Sequence, residues 1–186
     1  PSIIFLLKRL AGLPNLVLAT TDHESDDALV TLASSHNVKV ARGSRDDVFE
    51  RLIKIANQDN WPYLIRITGD CPLIDKYFVE AALEEARLHI NHWDCLTTKG
   101  VTPPGIDLEI LRVSSMNRIY GNLNKIEKEH ITHAFASPYR NMIVSKLEMR
   151  DYAEKTGSFL LDNLDEFLWF CKNISKEDAT ATTLQI

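Results

Sequence analysis

The chain has 186 residues, 45% of them apolar and 25% charged, with a formal net charge of -5. That length suits one domain with its own core, and the composition is that of a globular protein. A mildly acidic balance excludes broad phosphate contact with nucleic acid, though a single nucleotide needs only a few donors or a metal. The three cysteines, Cys71, Cys95 and Cys171, form no C-x-x-C, which points to a reducing compartment rather than a disulfide framework or a structural zinc site. No apolar run approaches the roughly 20 residues of a membrane span. These features place the protein in the cytoplasm, with no membrane and no nucleic-acid partner.

The predicted elements begin with an amphipathic helix in "IIFLLKRLAGLPN". "NLVLATT" (15–21) reads as a buried strand and "SDDALVTLASSH" (25–36) as a helix with Ser25 as its N-cap. "VKVARGS" (38–44) is a short strand running into a Gly-Ser turn. "RDDVFERLIKIANQ" (45–58) carries an apolar stripe at helical spacing. "YLIRIT" is the third strand, and "DKYFVEAALEEARLHI" (75–90) a helix capped by Asp75. Alternating strands and helices with short connections mean βαβ crossovers and a mainly parallel sheet covered on both faces. Continuous apolar strands agree with that burial.

The second half is less regular. Strands are expected at 93–98, 106–113, 141–149 and 158–163, and helices at 127–137 and 164–174. A single domain over 1–174 would then carry a polar tail, 175–186.

In open α/β sheets, ligands gather beyond the carboxyl ends of the strands. Leaving those ends are Thr20-Thr21-Asp22, Arg42-Gly43-Ser44 and Thr68-Gly69-Asp70. Asp70 has the chemistry of a Mg²⁺ ligand, with substrate phosphates and water filling the other positions. Gly69 lets a ligand approach the backbone. Equally, an aspartate before Pro72 is ordinary turn chemistry. "FLLDN" repeats the pattern, ending in Asp162, and two carboxylates facing a triphosphate make a better metal site than one. The Gly43-Ser44 turn before a helix N-terminus offers backbone donors to a polar ligand. The charges of "RDDVFER" are equally those of a solvated helix start. His89/His92 and His130/His133 have i,i+3 spacing but no further ligand at zinc spacing. His130 is better suited to donate to a sugar or phosphate.

Five segments, "ARGSRDDVFERL", "IRITGDCPLID", "PPGIDLEIL", "EKEHIT" and "FLLDNLDEF", stand in the order found in a cytidylyltransferase family. That family includes the spore coat polysaccharide biosynthesis protein F and relatives that make CMP-sugars. The resemblance covers roughly residues 3–172. It implies a Rossmann-like three-layer sandwich of the GT-A-like nucleotide-diphospho-sugar transferase fold. It also implies Mg²⁺ on Asp70 and Asp162. Arg42, Gly43 and Ser44 would line the nucleotide pocket, with Asp47, Arg51 and Gly69 in support. Gly105, Asp107, Glu109, Glu129 and His130 would face the sugar.

The implied substrates are CTP, or another nucleoside triphosphate, and a sugar destined for surface polysaccharide. A homodimer is expected by analogy. Two features depart from the family pattern. Its opening strand and Gly-rich basic loop, Q-A-R-M-G-S-T-R-L-P-G-K, have no counterpart here, so the chain reads as N-terminally truncated relative to the family. Leu164 also stands where a proline is usual. Two alternatives remain beside nucleotidyl transfer: a GT-A glycosyltransferase with a nucleotide-sugar donor, and a non-catalytic nucleotide-binding domain.

Overall fold

Local sequence shapes the first half of the molecule directly. The structure is a computed structural model that describes residues 2–89, 93–138, 140, 142–149 and 158–173. Helix α1 (Ser2–Arg9) leads to β1 (Val17–Thr21), α2 (Asp27–Ser35), β2 (Lys39–Gly43), α3 (Val48–Gln58), β3 (Tyr63–Arg66) and α4 (Lys76–Leu88). Helix α3 starts because Asp47 accepts from the Glu50 amide at 2.8 Å. Helix α4 starts because Asp75 accepts from the Phe78 amide at 2.8 Å. Both caps satisfy amide donors that the helix itself leaves open.

Helix α2 begins differently from expectation. A 3₁₀ turn, Glu24–Asp26, precedes it, and Ser25 does not cap it. Asp26 reaches back instead to the end of β1. It accepts from the Thr20 and Thr21 hydroxyls, each at 2.6 Å, and from the Thr21 amide at 3.0 Å. These hydrogen bonds, led by Thr20, hold its carboxyl well below the usual range.

The second half contains β4 (Cys95–Thr97), β5 (Glu109–Arg112), α5 (Val113–Ile119), α6 (Lys125–Glu129), α7 (Ile131–Ala136), β6 (Val144–Lys146) and α8 (Leu164–Asn173). Helix α5 was not expected. The helix expected at 127–137 is two short helices, broken where His130 takes φ -108° and ψ 93°. Residues 158–163 do not form a strand. They run as an extended segment held by Phe159 N–H to Pro104 O at 2.8 Å and Leu161 N–H to Asp70 O at 3.1 Å. Asn163 and Glu166 then box the start of α8, each accepting from the other's end of the first turn. His92 and the tail 175–186 lie outside the described residues.

Two sheets result. Strands β1 and β2 pair in parallel, and a second sheet has the order β3-β5-β4-β6. Strand β5 is antiparallel to both its neighbours, and β4 is parallel to β6. So β3, β4 and β6 share one direction and β5 alone opposes it. The register pairs Cys95 with Leu111 and Leu96 with Ile110. Successive side chains point to opposite faces. Accordingly, Leu96 and Ile110 enter one core with Leu6 of α1 and Phe78 and Ala82 of α4. Cys95 and Leu111 enter another with Phe49 of α3, Met116 of α5 and Phe135 of α7. The four-stranded sheet is therefore sandwiched between helical layers. Phe49, fully buried, stacks on Tyr120 and Phe135 with centroids 6.2 and 6.1 Å away.

Candidate functional site

The turn after β3 is held from beneath. Cys71, Leu73 and Ile74 are buried in the core. Arg9, itself buried, donates Nη2 to Leu73 O at 2.7 Å. The Cys71 amide closes the turn on Thr68 O at 3.1 Å. That anchorage leaves Gly69 exposed and Asp70 half-buried at the rim. A Cβ placed on Gly69 would meet nothing within 4 Å, so the space above it is open.

Asp70 is joined to Asp162 by the backbone. Leu161 N–H donates to Asp70 O at 3.1 Å, which sets the exposed Asp162 beside the β3 turn. A third loop packs against the same segment. Gly105 has φ +86°, and a Cβ there would lie 2.2 Å from the Phe159 carbonyl carbon and 2.4 Å from Leu160 N. Only glycine permits that crossing of two backbones.

The same loop carries Asp107, which accepts from the Gly105 amide at 3.3 Å. Burial pushes the Asp107 carboxyl up; Lys99 and the Gly105 amide oppose the rise, and the charges of Glu109 and Asp70 add to it. The three loops that carry Asp70, Asp107 and Asp162 thus touch one another through backbone contacts. Among the described residues no cluster of three His, Cys, Asp or Glu groups forms a metal cage. Two carboxylates beside open space do fit Mg²⁺ of the kind that keeps water and substrate phosphates as its remaining ligands.

Glu109 forms a floor one strand further in. Its side chain is 1% exposed and meets Arg66 Nη1 at 2.6 Å and Lys99 Nζ at 3.5 Å. It also accepts from the Thr132 hydroxyl. Burial pushes the Glu109 carboxyl up, but Arg66, Thr132 and Lys99 outweigh burial and hold it below its ordinary value. Lys99 Nζ also donates to the Thr132 hydroxyl at 3.1 Å and stays well exposed. Arg66, Lys99 and Thr132 were not singled out in the sequence. The signal for Arg66 is its register opposite Glu109, which only the folded sheet reveals. Glu129, the last residue of α6, and His130, at the junction with α7, are exposed, three and two residues before Thr132.

The proposed nucleotide-side residues form a second group. Arg42 spends its donors on the loop after β1. Nε reaches Thr21 O at 2.8 Å, Nη1 Asp27 at 2.7 Å and Nη2 His23 O at 2.7 Å. Ser44 Oγ accepts from the Asp47 amide at 3.2 Å, and Arg51 Nη1 donates to Ser44 O at 2.9 Å. A Cβ on Gly43 would sit 3.3 Å from Arg51 Cγ. Asp47, besides capping α3, accepts from Tyr120 Oη at 2.9 Å and pairs with Lys128 at 3.0 Å. Burial raises the Asp47 carboxyl, and the Glu50 amide, Lys128 and Tyr120 bring it below its usual value. These bonds make Arg42 a tie between β2 and the β1–α2 connection, while Asp47 and Arg51 hold the Ser44 turn.

No family profile matches the chain. It is 29% identical over 163 residues to the uncharacterized protein MJ1063 of Methanocaldococcus jannaschii, covering 87% of this chain and 66% of that protein. It is 30% identical over 121 residues to the spore coat polysaccharide biosynthesis protein SpsF of Bacillus subtilis, covering 63% of this chain and 49% of that protein. The chain therefore spans about half to two thirds of the length of these curated relatives. A cytidylyltransferase from Leptospira borgpetersenii superimposes with a TM-score of 0.88 at 23% identity, covering 98% of this chain and 79% of that one.

The chain has the fold of a cytidylyltransferase.

The resemblance read from the five motifs is borne out at this level. More distant solved structures share the architecture. Molybdopterin-guanine dinucleotide biosynthesis protein A from Archaeoglobus fulgidus gives a TM-score of 0.61 at 12% identity, over 95% of this chain and 86% of that one. CMP:2-keto-3-deoxy-manno-octonic acid synthetase, solved with CTP, gives 0.53 at 14% identity over 79% of each chain. Among the described residues no helix is long and apolar enough to cross a membrane.

Proposed function

We propose that the chain forms the core of a Mg²⁺-dependent nucleotidyltransferase that activates a sugar with CTP, releasing pyrophosphate. The observation that supports this reading is the Leu161–Asp70 backbone bond, which ties the segment carrying Asp162 to the turn carrying Asp70, beside the open space over Gly69. Asp70 and Asp162 would hold the metal, which in such sites neutralises charge on the triphosphate oxygens. The open turn at Gly69 would admit the phosphates against the backbone. Lys99, exposed and anchored through Thr132 and Glu109, would face the anionic part of the substrates. Asp107 and Gly105 would border the sugar, with Glu129 and His130 at the outer edge. Positioning and charge complementarity are the main sources of rate in phosphoryl-type transfer. The similarity to SpsF and the fold shared with a CTP-bound synthetase support the choice of CTP and of a sugar.

The test is calorimetric titration of CTP, with and without Mg²⁺, into the chain and into Asp70→Ala. Binding that requires Mg²⁺ and is lost in the variant is the expected result. CTP binding indifferent to both would overturn the metal assignment and leave Asp70 as a turn residue.

A further inference from the structure

Helix α7 is placed by its neighbours rather than by its own sequence. It has six residues and no side chain caps its start, and a helix that short does not hold itself in water. Phe135 stacks on Phe49 of α3 at 6.1 Å. The Thr132 hydroxyl is shared between Glu109 and Lys99. Helix α6, joined to α7 at His130, is tied to α3 as well. Lys128 Nζ pairs with Asp47 Oδ2 at 3.0 Å and lies 4.9 Å from the centroid of the Tyr120 ring. Tyr120 Oη donates to the same carboxylate oxygen at 2.9 Å. Asp47 in turn belongs to the Ser44 turn: its amide donates to Ser44 Oγ, and Arg51, one helical turn on, donates to Ser44 O. A chain of direct contacts therefore runs from the Ser44 turn through Asp47 and Lys128 to α6, and through α7 to Thr132, Lys99 and Glu109.

We propose that Lys128 is a positioning residue, which couples the Ser44 turn to α7 and so sets where Thr132 and Lys99 stand when a nucleotide is bound. The inference rests on the reading of the Ser44 turn as part of the nucleotide side. An ion pair standing free in solvent would carry little. Here the Asp47 side chain is 14% exposed and accepts from three donors at once, the Glu50 amide, Tyr120 and Lys128. Groups joined in that way act as one network rather than as separate pairs. A ligand that orders the Ser44 turn therefore orders Asp47, and Lys128 passes the constraint to α6. Lys128 stands two residues before His130, where the backbone leaves the helical conformation and α7 starts as a separate piece. Holding α6 at that point fixes the joint from which α7 hangs. Ordering at one site that lowers the cost of ordering at another is energetic coupling and needs no change of fold.

The test is amide hydrogen exchange of α7, with and without CTP and Mg²⁺, in the full chain and in Lys128→Met, Lys128→Arg and Lys125→Met. Lys125 is exposed on the same helix, so its variant makes the same charge change away from Asp47. In the parent, CTP is expected to slow exchange across Ile131–Ala136 by about tenfold. Lys128→Met is expected to bind CTP within about twofold of the parent yet lose that slowing. Lys128→Arg restores it, and Lys125→Met keeps it. Slowing that persists in Lys128→Met would mean that the ligand touches α7 directly or acts through Phe49 and Phe135, and overturns the role of Lys128. Equal loss in Lys125→Met would make the effect one of net charge and overturns it too. CTP that binds the parent without slowing α7 overturns the coupling and leaves the nucleotide reading standing. A parent that binds no CTP overturns the nucleotide reading and the coupling with it.

Discussion

Gly105→Ala probes the crossing that joins the candidate site's loops. The new methyl would sit 2.2 Å from the Phe159 carbonyl carbon and 2.5 Å from its oxygen, both backbone atoms that no rotamer change can move away. The φ of +86° adds a left-handed penalty of about 1–2 kcal/mol for any residue with a Cβ. Overpacking of a buried site adds about 1–3 kcal/mol. The sum is about 2–5 kcal/mol, unless residues 158–161 shift away. A shift breaks the 2.8 Å bond from Phe159 N–H to Pro104 O and moves Asp162 from Asp70. With a urea slope of about 2 kcal/mol per M, the unfolding midpoint falls by about 1–2.5 M. If the segment moves instead, Mg²⁺-dependent CTP binding is lost with a smaller fall in midpoint. Gly69→Ala is the control, because its Cβ meets nothing within 4 Å. That variant keeps its midpoint within about 1 kcal/mol-equivalent of the parent and weakens only ligand binding. A Gly105→Ala protein with unchanged midpoint and unchanged CTP affinity would refute the reasoning about how the loops are held.

Glu109→Ala strips Arg66 of a buried partner and costs about 3–5 kcal/mol in urea melts, whereas an unaltered midpoint would show the pair to be dispensable. Because the folded Glu109 carboxyl lies below its ordinary value of 4.5, its contribution is fully present above that pH. It fades as pH falls through the folded value, so acid unfolding of the parent is steeper than that of Glu109→Gln. Asp47→Ala removes the α3 cap and the contacts to Tyr120 and Lys128, lowering stability by about 1–2 kcal/mol in thermal melts. Burial pushes the Cys71 and Cys95 thiols up to about 12, so a thiol reagent at pH 8 labels Cys171 in the native chain and all three cysteines in urea.

How much of this was legible beforehand follows the range of the interactions. Strands β1 to β3 and helices α3 and α4 were readable because their signals are local: apolar runs, a helical stripe, and Asp75 at a cap. Helix α5 was missed because Val113–Ile119 carries two serines and no capping side chain, and its burial against α3 decides its form. The segment 158–163 looked like a strand because it is apolar and extended. Its amides instead bond to two loops, Pro104 and Asp70, which the sequence places far away. Asp70 and Asp162 were identifiable as candidates by type and position, and Gly105 through the resemblance. The contact between their loops and the Arg66–Glu109 pair were not, because each depends on which segments come together. The sequence by itself determined the local elements and the chemistry available at their ends, since both rest on neighbours a few residues away. The tertiary structure alone decided which of those ends share a site, since that rests on hydrogen bonds and packing between segments distant along the chain.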